Sequence, residues 1–137
     1  RASDKIKFVV SGDARVEALI NVPLFDWVLE NLLKNAVNAI EGHGKIDIHI
    51  ADNPAKKQVF LDVVDTGKGI PRSKFDMVFQ PGYTTRKRGW GLGLSLTKRI
   101  VENYHKGHIS VKDSEFGKGT TFRIILTSNQ KLEEDIV

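Results

Sequence analysis

Three glycines alternate between Gly89 and Gly93, and this short stretch constrains the chain more than any other. It reads Gly89-Trp90-Gly91-Leu92-Gly93-Leu94-Ser95, and an apolar helical pattern begins inside it. Glycine lets a backbone approach a ligand closely, and successive free N–H groups in such a turn form an anion-binding concavity. A helix N-terminus directly behind the turn adds partial positive charge. The stretch therefore predicts a phosphate-binding loop that opens a helix, with a flexible loop before a glycine-tolerant helix start as the alternative.

Composition narrows the class of protein. The chain has 137 residues, which suits one domain with a single core. It contains no cysteine, so disulfide frameworks and thiolate chemistry are excluded. No apolar run is long enough to span a membrane and no signal peptide is visible, so we expect a cytoplasmic domain that does not itself contact a membrane. Because the chain begins without Met, we also expect it to be cut from a longer protein, which could be a membrane-bound sensor.

The net charge of +4 is concentrated in one place. Between Pro71 and Trp90 there are five basic residues and one acidic residue, Asp76. A localised cluster suits one polyanion bound at one site, whereas a nucleic-acid binder spreads charge along a face with interleaved aromatic residues. We therefore expect no nucleic-acid partner. The alternative to a polyanion-binding site is that these basic residues form a solvated loop.

A long amphipathic helix is predicted over about residues 24–41, and one of its faces carries three asparagines. Asn31, Asn35 and Asn38 stand at i, i+4 and i+7, which places them together on that face. Asparagine is a poor helix former, so the face indicates a role beyond helix propensity. Its amide oxygen suits Mg²⁺, Asn31 is a candidate for holding a metal-bound water, and the neighbouring Lys34 is a candidate phosphate contact. Alternatively, Asn31 bonds to a neighbouring loop and Asn38 is simply at the surface.

A tight turn at Asp65-Thr66-Gly67-Lys68-Gly69 follows a predicted buried strand. A carboxylate at a strand end can accept a hydrogen bond from an exocyclic amine such as that of adenine. The glycines would let a flat ring lie against the main chain. Ordinary turns use the same residues, which is the alternative here.

Hydrophobic periodicity gives the element order β, α, β, β, α, α, β, β. Strands come in hairpins in this order, which predicts a largely antiparallel sheet and a two-layer α+β sandwich. The predicted strands cover residues 6–10, 46–50, 59–64, 108–111 and 120–126. The predicted helices cover about residues 24–41, 71–79 and 92–104.

Five motifs stand in a fixed order along the chain. They are Asn31-Leu32-Leu33-Lys34-Asn35-Ala36, Asp65-Thr66-Gly67-Lys68-Gly69, Phe75 to Phe79-Gln80-Pro81-Gly82-Tyr83-Thr84-Thr85-Arg86, the glycine stretch described above, and Gly117-Lys118-Gly119-Thr120-Thr121-Phe122. Together they closely resemble the N, G1, F, G2 and G3 boxes of sensor histidine kinases. That family belongs to an ATPase superfamily shared with type II topoisomerases, Hsp90 chaperones and MutL repair proteins. The resemblance covers about Phe25 to Leu126.

The resemblance implies a single Bergerat-type domain over residues 1–137 that binds ATP with Mg²⁺. Its fold would be a two-layer α/β sandwich, with a mixed, mostly antiparallel sheet covered on one face by about three helices. Residues from about 71 to 90 would form a mobile ATP lid.

Matching positions imply roles for individual residues. Asn35 would bind the metal, and Asn31 occupies the position where ATPase relatives place a glutamate general base. Asp65 would bind the adenine amine, assisted by Thr120 through water, and Arg86 would contact the γ-phosphate. Further nucleotide contacts are implied for Lys34, Asn38, Gly67, Gly69, Ile70, Phe79, Thr84, Thr85, Gly89, Gly91, Leu92, Gly93 and Leu94. Many relatives carry Lys or Arg at the position of Asn38 and a small residue at that of Trp90, so this chain departs from the pattern there.

The function implied is phosphoryl transfer from ATP to a histidine. None of His43, His49, His105 and His108 has the helix-borne sequence context of such an acceptor, so we expect the acceptor on a dimerisation and histidine-phosphotransfer domain upstream. A response-regulator receiver domain would be the next partner. The alternatives are an anti-sigma-type serine kinase, another ATPase of the superfamily that performs conformational work, or a non-catalytic nucleotide sensor.

Overall fold

The computed structural model describes residues 5–83 and 93–129, and the strands within them form one mixed five-stranded sheet. The strands are β1 (Lys5–Gly12), β2 (His43–Asn53), β3 (Gln58–Asp65), β4 (His108–Glu115) and β5 (Gly119–Thr127). Their order across the sheet is β1-β2-β3-β5-β4. β1 pairs with β2 in parallel, and the other neighbours are antiparallel. The expected mixed, mostly antiparallel sheet is therefore confirmed. β1 is parallel to β2 because a long helix lies between them and returns the chain in the same direction.

That helix is α1 (Val22–Ala39), which begins and ends two residues earlier than predicted. Its start is fixed by Asn21, whose side chain accepts a hydrogen bond from the Leu24 N–H at 3.0 Å. The predicted apolar spacing is confirmed, because four side chains along one face are buried: Phe25, Val28, Leu32 and Ala36.

Of the other two predicted helices, the one over residues 92–104 is present as a helical segment over residues 93–104, and the one over residues 71–79 is not an α-helix. α2 (Gly93–Arg99) continues as a π-helical turn over Ile100–Tyr104. The short helix expected over residues 71–79 is replaced by two 3₁₀ turns, Arg72–Lys74 and Met77–Phe79. Nine residues are too few to propagate an α-helix on their own, and the adjacent burial of Val78 and Phe79 does not follow a helical stripe.

The hydrophobic core lies between the sheet and the helices, as in a two-layer sandwich. On β5 the buried residues alternate strictly, and the same face of β4 contributes Ile109 and Val111. The opposite face carries a bidentate ion pair in which Arg123 donates to Asp62 at 2.8 and 2.9 Å. No helix in the described part of the chain is both long and apolar enough to cross a membrane.

The pairing of β4 with β5 changes register near its end. Val111 pairs with Phe122, but Asp113 pairs with Thr121 and Ser114 with Thr120. Lys112 is therefore the extra residue of a β-bulge, and the residues after it face the side opposite to the one that simple alternation predicts.

Candidate functional site

The carboxylate of Asp65 is buried at the end of β3, with 3% of the residue exposed. Its Oδ1 accepts a hydrogen bond from the Gly67 N–H at 2.8 Å. Burial raises the pKa of the Asp65 carboxyl, and backbone hydrogen bonds from Gly67 and Thr120 offset part of that rise. A buried acceptor with so few partners can take a hydrogen bond from a ligand that reaches it.

Gly67 and Gly69 hold the turn after Asp65 against two other parts of the chain. A β-carbon on Gly67 would stand 2.6 Å from that of Ala39, and the Lys68 N–H donates to the Ala39 carbonyl at 2.9 Å. Gly69 has φ +85°, and a β-carbon there would collide with the Glu115 backbone. Both glycines are thus required by close backbone approach, and a direct contact with a ligand stays a prediction.

Thr120 lies opposite Asp65 in the β3–β5 register and is also buried. Its hydroxyl lies 2.8 Å from that of Ser114, which in turn accepts a hydrogen bond from the Ile70 N–H at 2.7 Å. The structure therefore joins the predicted residues Asp65, Ile70 and Thr120 at one end of the sheet. Ser114 was not identified from the sequence, because no local sequence pattern predicts the bulge that turns it towards Thr120.

Asn31 joins α1 to the start of α2. Its Nδ2 donates to the Trp27 carbonyl at 2.9 Å, one turn back in the same helix. Its Oδ1 lies 2.9 Å from the place where a β-carbon on Gly93 would stand. The asparagine face of α1 thus lies beside the last glycine of the glycine stretch, as expected if both belong to one site.

The other two asparagines differ in exposure. Asn35 is half-buried, and within residues 5–83 and 93–129 its side chain makes no hydrogen bond. Asn38 is exposed. Lys34 is exposed and forms an ion pair with Glu30 at 3.6 Å, an i,i+4 surface contact that contributes little to stability.

Two predicted apolar positions, Phe79 and Leu94, pack into the core. Phe79 is buried, and its ring meets that of Phe122 edge-on with centroids 6.0 Å apart. The Lys98 ammonium stands 5.4 Å from the Phe79 ring centroid. Leu94, like Ile70, is half-buried and packs against the core, so nucleotide contacts for all three stay predictions.

Several predicted site residues lie outside the described residues, and their roles stay predictions. They are Thr84, Thr85, Arg86, Gly89, Gly91 and Leu92, together with Trp90 and the rest of the predicted lid from residue 84 to residue 90.

Comparison with known proteins gives the family of this chain. Residues 21–130 match the family described as histidine kinase-, DNA gyrase B-, and HSP90-like ATPases. The sensor histidine kinase ZraS of Escherichia coli K12 is 43% identical over 102 residues, which cover 74% of this chain and 21% of ZraS.

Solved structures show the same fold. The nucleotide-free catalytic domain of the histidine kinase ThkA is 32% identical with a TM-score of 0.75, covering 89% of this chain and 78% of that domain. ThkA in complex with the response regulator TrrA is 30% identical with a TM-score of 0.73, covering 90% of this chain and 34% of that one.

This chain belongs to the family of histidine kinase-, DNA gyrase B-, and HSP90-like ATPases, among the catalytic domains of sensor histidine kinases. It spans about a fifth of the length of ZraS.

Proposed function

We propose that this chain binds ATP with Mg²⁺ and transfers the γ-phosphate to a histidine on a separate domain of the same protein. The observation that carries the proposal is the buried Asp65 carboxylate, held by the Gly67 N–H beside Thr120. An adenine exocyclic amine is a donor, and it matches an acceptor that the fold leaves buried with two backbone partners.

The chain's metal ligand in this proposal is Asn35. Within the described residues no group of three or more His, Cys, Asp or Glu side chains converges on one point. A divalent cation at this site would therefore take its ligands from an amide oxygen, water and the phosphates of ATP, which is a typical arrangement for Mg²⁺. Asn35 fits this role because its half-buried carboxamide is not used by any other hydrogen bond among residues 5–83 and 93–129. Bound Mg²⁺ would neutralise phosphate charge.

Phosphoryl transfer needs alignment and cancellation of charge more than covalent chemistry from the protein. In this proposal Asn31 orients water or metal, and Arg86 on a lid over about residues 71–90 contacts the γ-phosphate. An asparagine at position 31 cannot deprotonate water as a glutamate does. Water is then a poor competitor, and the acceptor imidazole is the nucleophile.

The proposal includes two protein partners. The first is a dimerisation domain upstream that carries the acceptor histidine. The second is a response-regulator receiver domain, by analogy with ThkA, whose structure was solved with the response regulator TrrA. The reaction would take place in the cytoplasm, where ATP is available.

The direct test is to incubate the full-length protein that contains this chain with ATP labelled at the γ-phosphate. We expect a labelled protein whose phosphoryl group is lost in acid and retained in alkali, as phosphohistidine behaves. Asn35→Ala should abolish labelling, whereas Asn103→Ala, the same change at an exposed position on the π-helical turn, should not. An acid-stable label would instead support the serine-kinase alternative.

A further inference from the structure

We propose that Ser114 is a positioning residue that orients the Thr120 hydroxyl as a hydrogen-bond acceptor and thereby favours a 6-amino purine over a 6-oxo purine. The inference rests on the proposed function, because it assumes that the base binds beside Asp65 and Thr120. It concerns a residue that the sequence does not single out.

The bulge at Lys112 brings Ser114 to this place. Ile109 and Val111 face the core, so simple alternation would turn Ser114 to the opposite face. The register shift after Val111 instead pairs Ser114 with Thr120, which itself pairs with Asp65. Directly paired residues of antiparallel strands share a face, so the three polar side chains form one row across the sheet.

Three hydrogen-bond contacts converge on the Ser114 hydroxyl. The Ile70 N–H donates to it at 2.7 Å, the Gly119 carbonyl lies 3.0 Å away, and the Thr120 hydroxyl lies 2.8 Å away. A serine hydroxyl has one proton and two lone pairs. All three contacts are hydrogen bonds only if Ser114 donates to Gly119 and Thr120 donates to Ser114.

This arrangement commits the Thr120 proton and leaves its lone pairs for a ligand or a bridging water. The ionised Asp65 carboxylate is also only an acceptor. Two acceptors side by side suit an exocyclic amine, which has two N–H donors. A 6-oxo purine would present an oxygen to them, and an unmatched polar group at a buried site binds poorly.

The test compares ATP and GTP dissociation constants by calorimetry for the wild type and Ser114→Ala. Removing the hydroxyl frees the Thr120 proton to point at the base. We expect ATP affinity to fall about fivefold, as for loss of one hydrogen bond, and the ratio of ATP to GTP affinity to fall with it. Ser110→Ala, the same change on the same strand before the bulge, should alter neither. Ser114→Thr keeps a hydroxyl and should restore the ratio.

A second measurement needs no nucleotide. Because the Ile70 N–H donates to Ser114, hydrogen exchange at the Ile70 amide should be faster in Ser114→Ala than in the wild type and in Ser110→Ala. If Ser114→Ala weakens ATP and GTP equally, or changes neither, the assignment of Ser114 is wrong while the proposed function stands. If the wild type binds no ATP, the proposed function is wrong.

Discussion

The side-chain oxygen of Asn31 lies 2.9 Å from the position that a β-carbon on Gly93 would occupy. Real β-carbons essentially never make contacts this short, so the contact exists only because residue 93 is glycine. The backbone of Gly93 is helical, a conformation that any residue can adopt. Glycine is therefore required at this position by the closeness of Asn31 and not by its φ and ψ. This contact limits how closely the asparagine face of α1 and the start of α2 approach each other.

Gly93→Ala should therefore displace the Asn31 carboxamide while leaving the fold intact. Alanine is the better helix former, so we expect the thermal midpoint to change little. ATP affinity should fall by about threefold or more, as for loss of one positioned polar group. Calorimetry in the Asn31→Ala background provides the control, because Gly93→Ala should have almost no further effect there. Equal losses in both backgrounds would show that Gly93 acts independently of Asn31.

Asn31→Glu should raise the rate of ATP hydrolysis by the isolated domain. A carboxylate one turn before Asn35 would supply the general base that the present side chain cannot. The measurement is steady-state phosphate release with ATP and Mg²⁺, and Asn31→Gln, which has the same length but no basic carboxylate, is the matched control. Hydrolysis that stays at the wild-type rate in Asn31→Glu would contradict the proposed role of position 31.

The buried Asp65 carboxyl should make stability depend on pH. Its pKa is raised in the folded protein, chiefly by burial, so the ionised form is less favourable there than in the unfolded chain. The contribution of the protonated Asp65 carboxyl to the unfolding free energy is fully present below the unfolded pKa of about 3.9. It is lost as pH rises through the higher folded pKa.

We therefore compare the unfolding free energy of the nucleotide-free wild type with that of Asp65→Asn. The wild type should become more stable relative to Asp65→Asn as pH falls through the folded pKa of Asp65. Urea titrations at a series of pH values measure this difference. The Asp65→Asn variant cancels contributions from all other titrating groups. If the difference in unfolding free energy between the two proteins does not change with pH, or decreases towards acid, burial does not disfavour the ionised form of the Asp65 carboxyl.

His105 should be important for stability and not for chemistry. Its Nε2 accepts the Asn21 N–H at 3.0 Å, and its Nδ1 lies 2.9 Å from the Ile100 carbonyl. Both contacts are hydrogen bonds only for the neutral tautomer with the proton on Nδ1, and the ring also meets Phe25 edge-on.

We expect His105→Ala to lower the unfolding free energy by about 2 kcal/mol, because it leaves the Asn21 N–H at the helix start without its partner and removes the packing of the ring on Phe25. The Ile100 carbonyl keeps the hydrogen bond from the backbone N–H of residue 105. His43→Ala, at an exposed histidine, is the matched control and should change it by less than about 0.5 kcal/mol. Urea denaturation of both variants provides the measurement. An equally small effect for His105→Ala would contradict a structural role.

The parts of this fold that follow from local pattern could be predicted from the sequence. The apolar stripe of α1 and the alternation of β5 carry their own periodicity, so those elements were found. The parallel pairing of β1 and the π-helical end of α2 could not be, because long-range packing and not local periodicity determines them.

The candidate site likewise contains residues that local motifs predict and residues that only long-range packing brings together. Asp65, Gly67 and Asn31 stand in motifs whose spacing is visible in the sequence. Ser114 comes into the row with Asp65 only through a one-residue register shift, for which alternation gives no signal. The contact between Asn31 and Gly93 joins residues 62 positions apart, and no local pattern predicts such a distance.

The central claim is that the buried Asp65 carboxylate binds the base of ATP. It is tested most directly by calorimetric titration of ATP with Mg²⁺ into the wild type and into Asp65→Asn, with Asp47→Asn, another strand carboxylate on the opposite face, as control. We predict saturable one-to-one binding to the wild type and to Asp47→Asn, and a loss of at least about tenfold in affinity for Asp65→Asn. Equal affinity in the wild type and Asp65→Asn would contradict the claim.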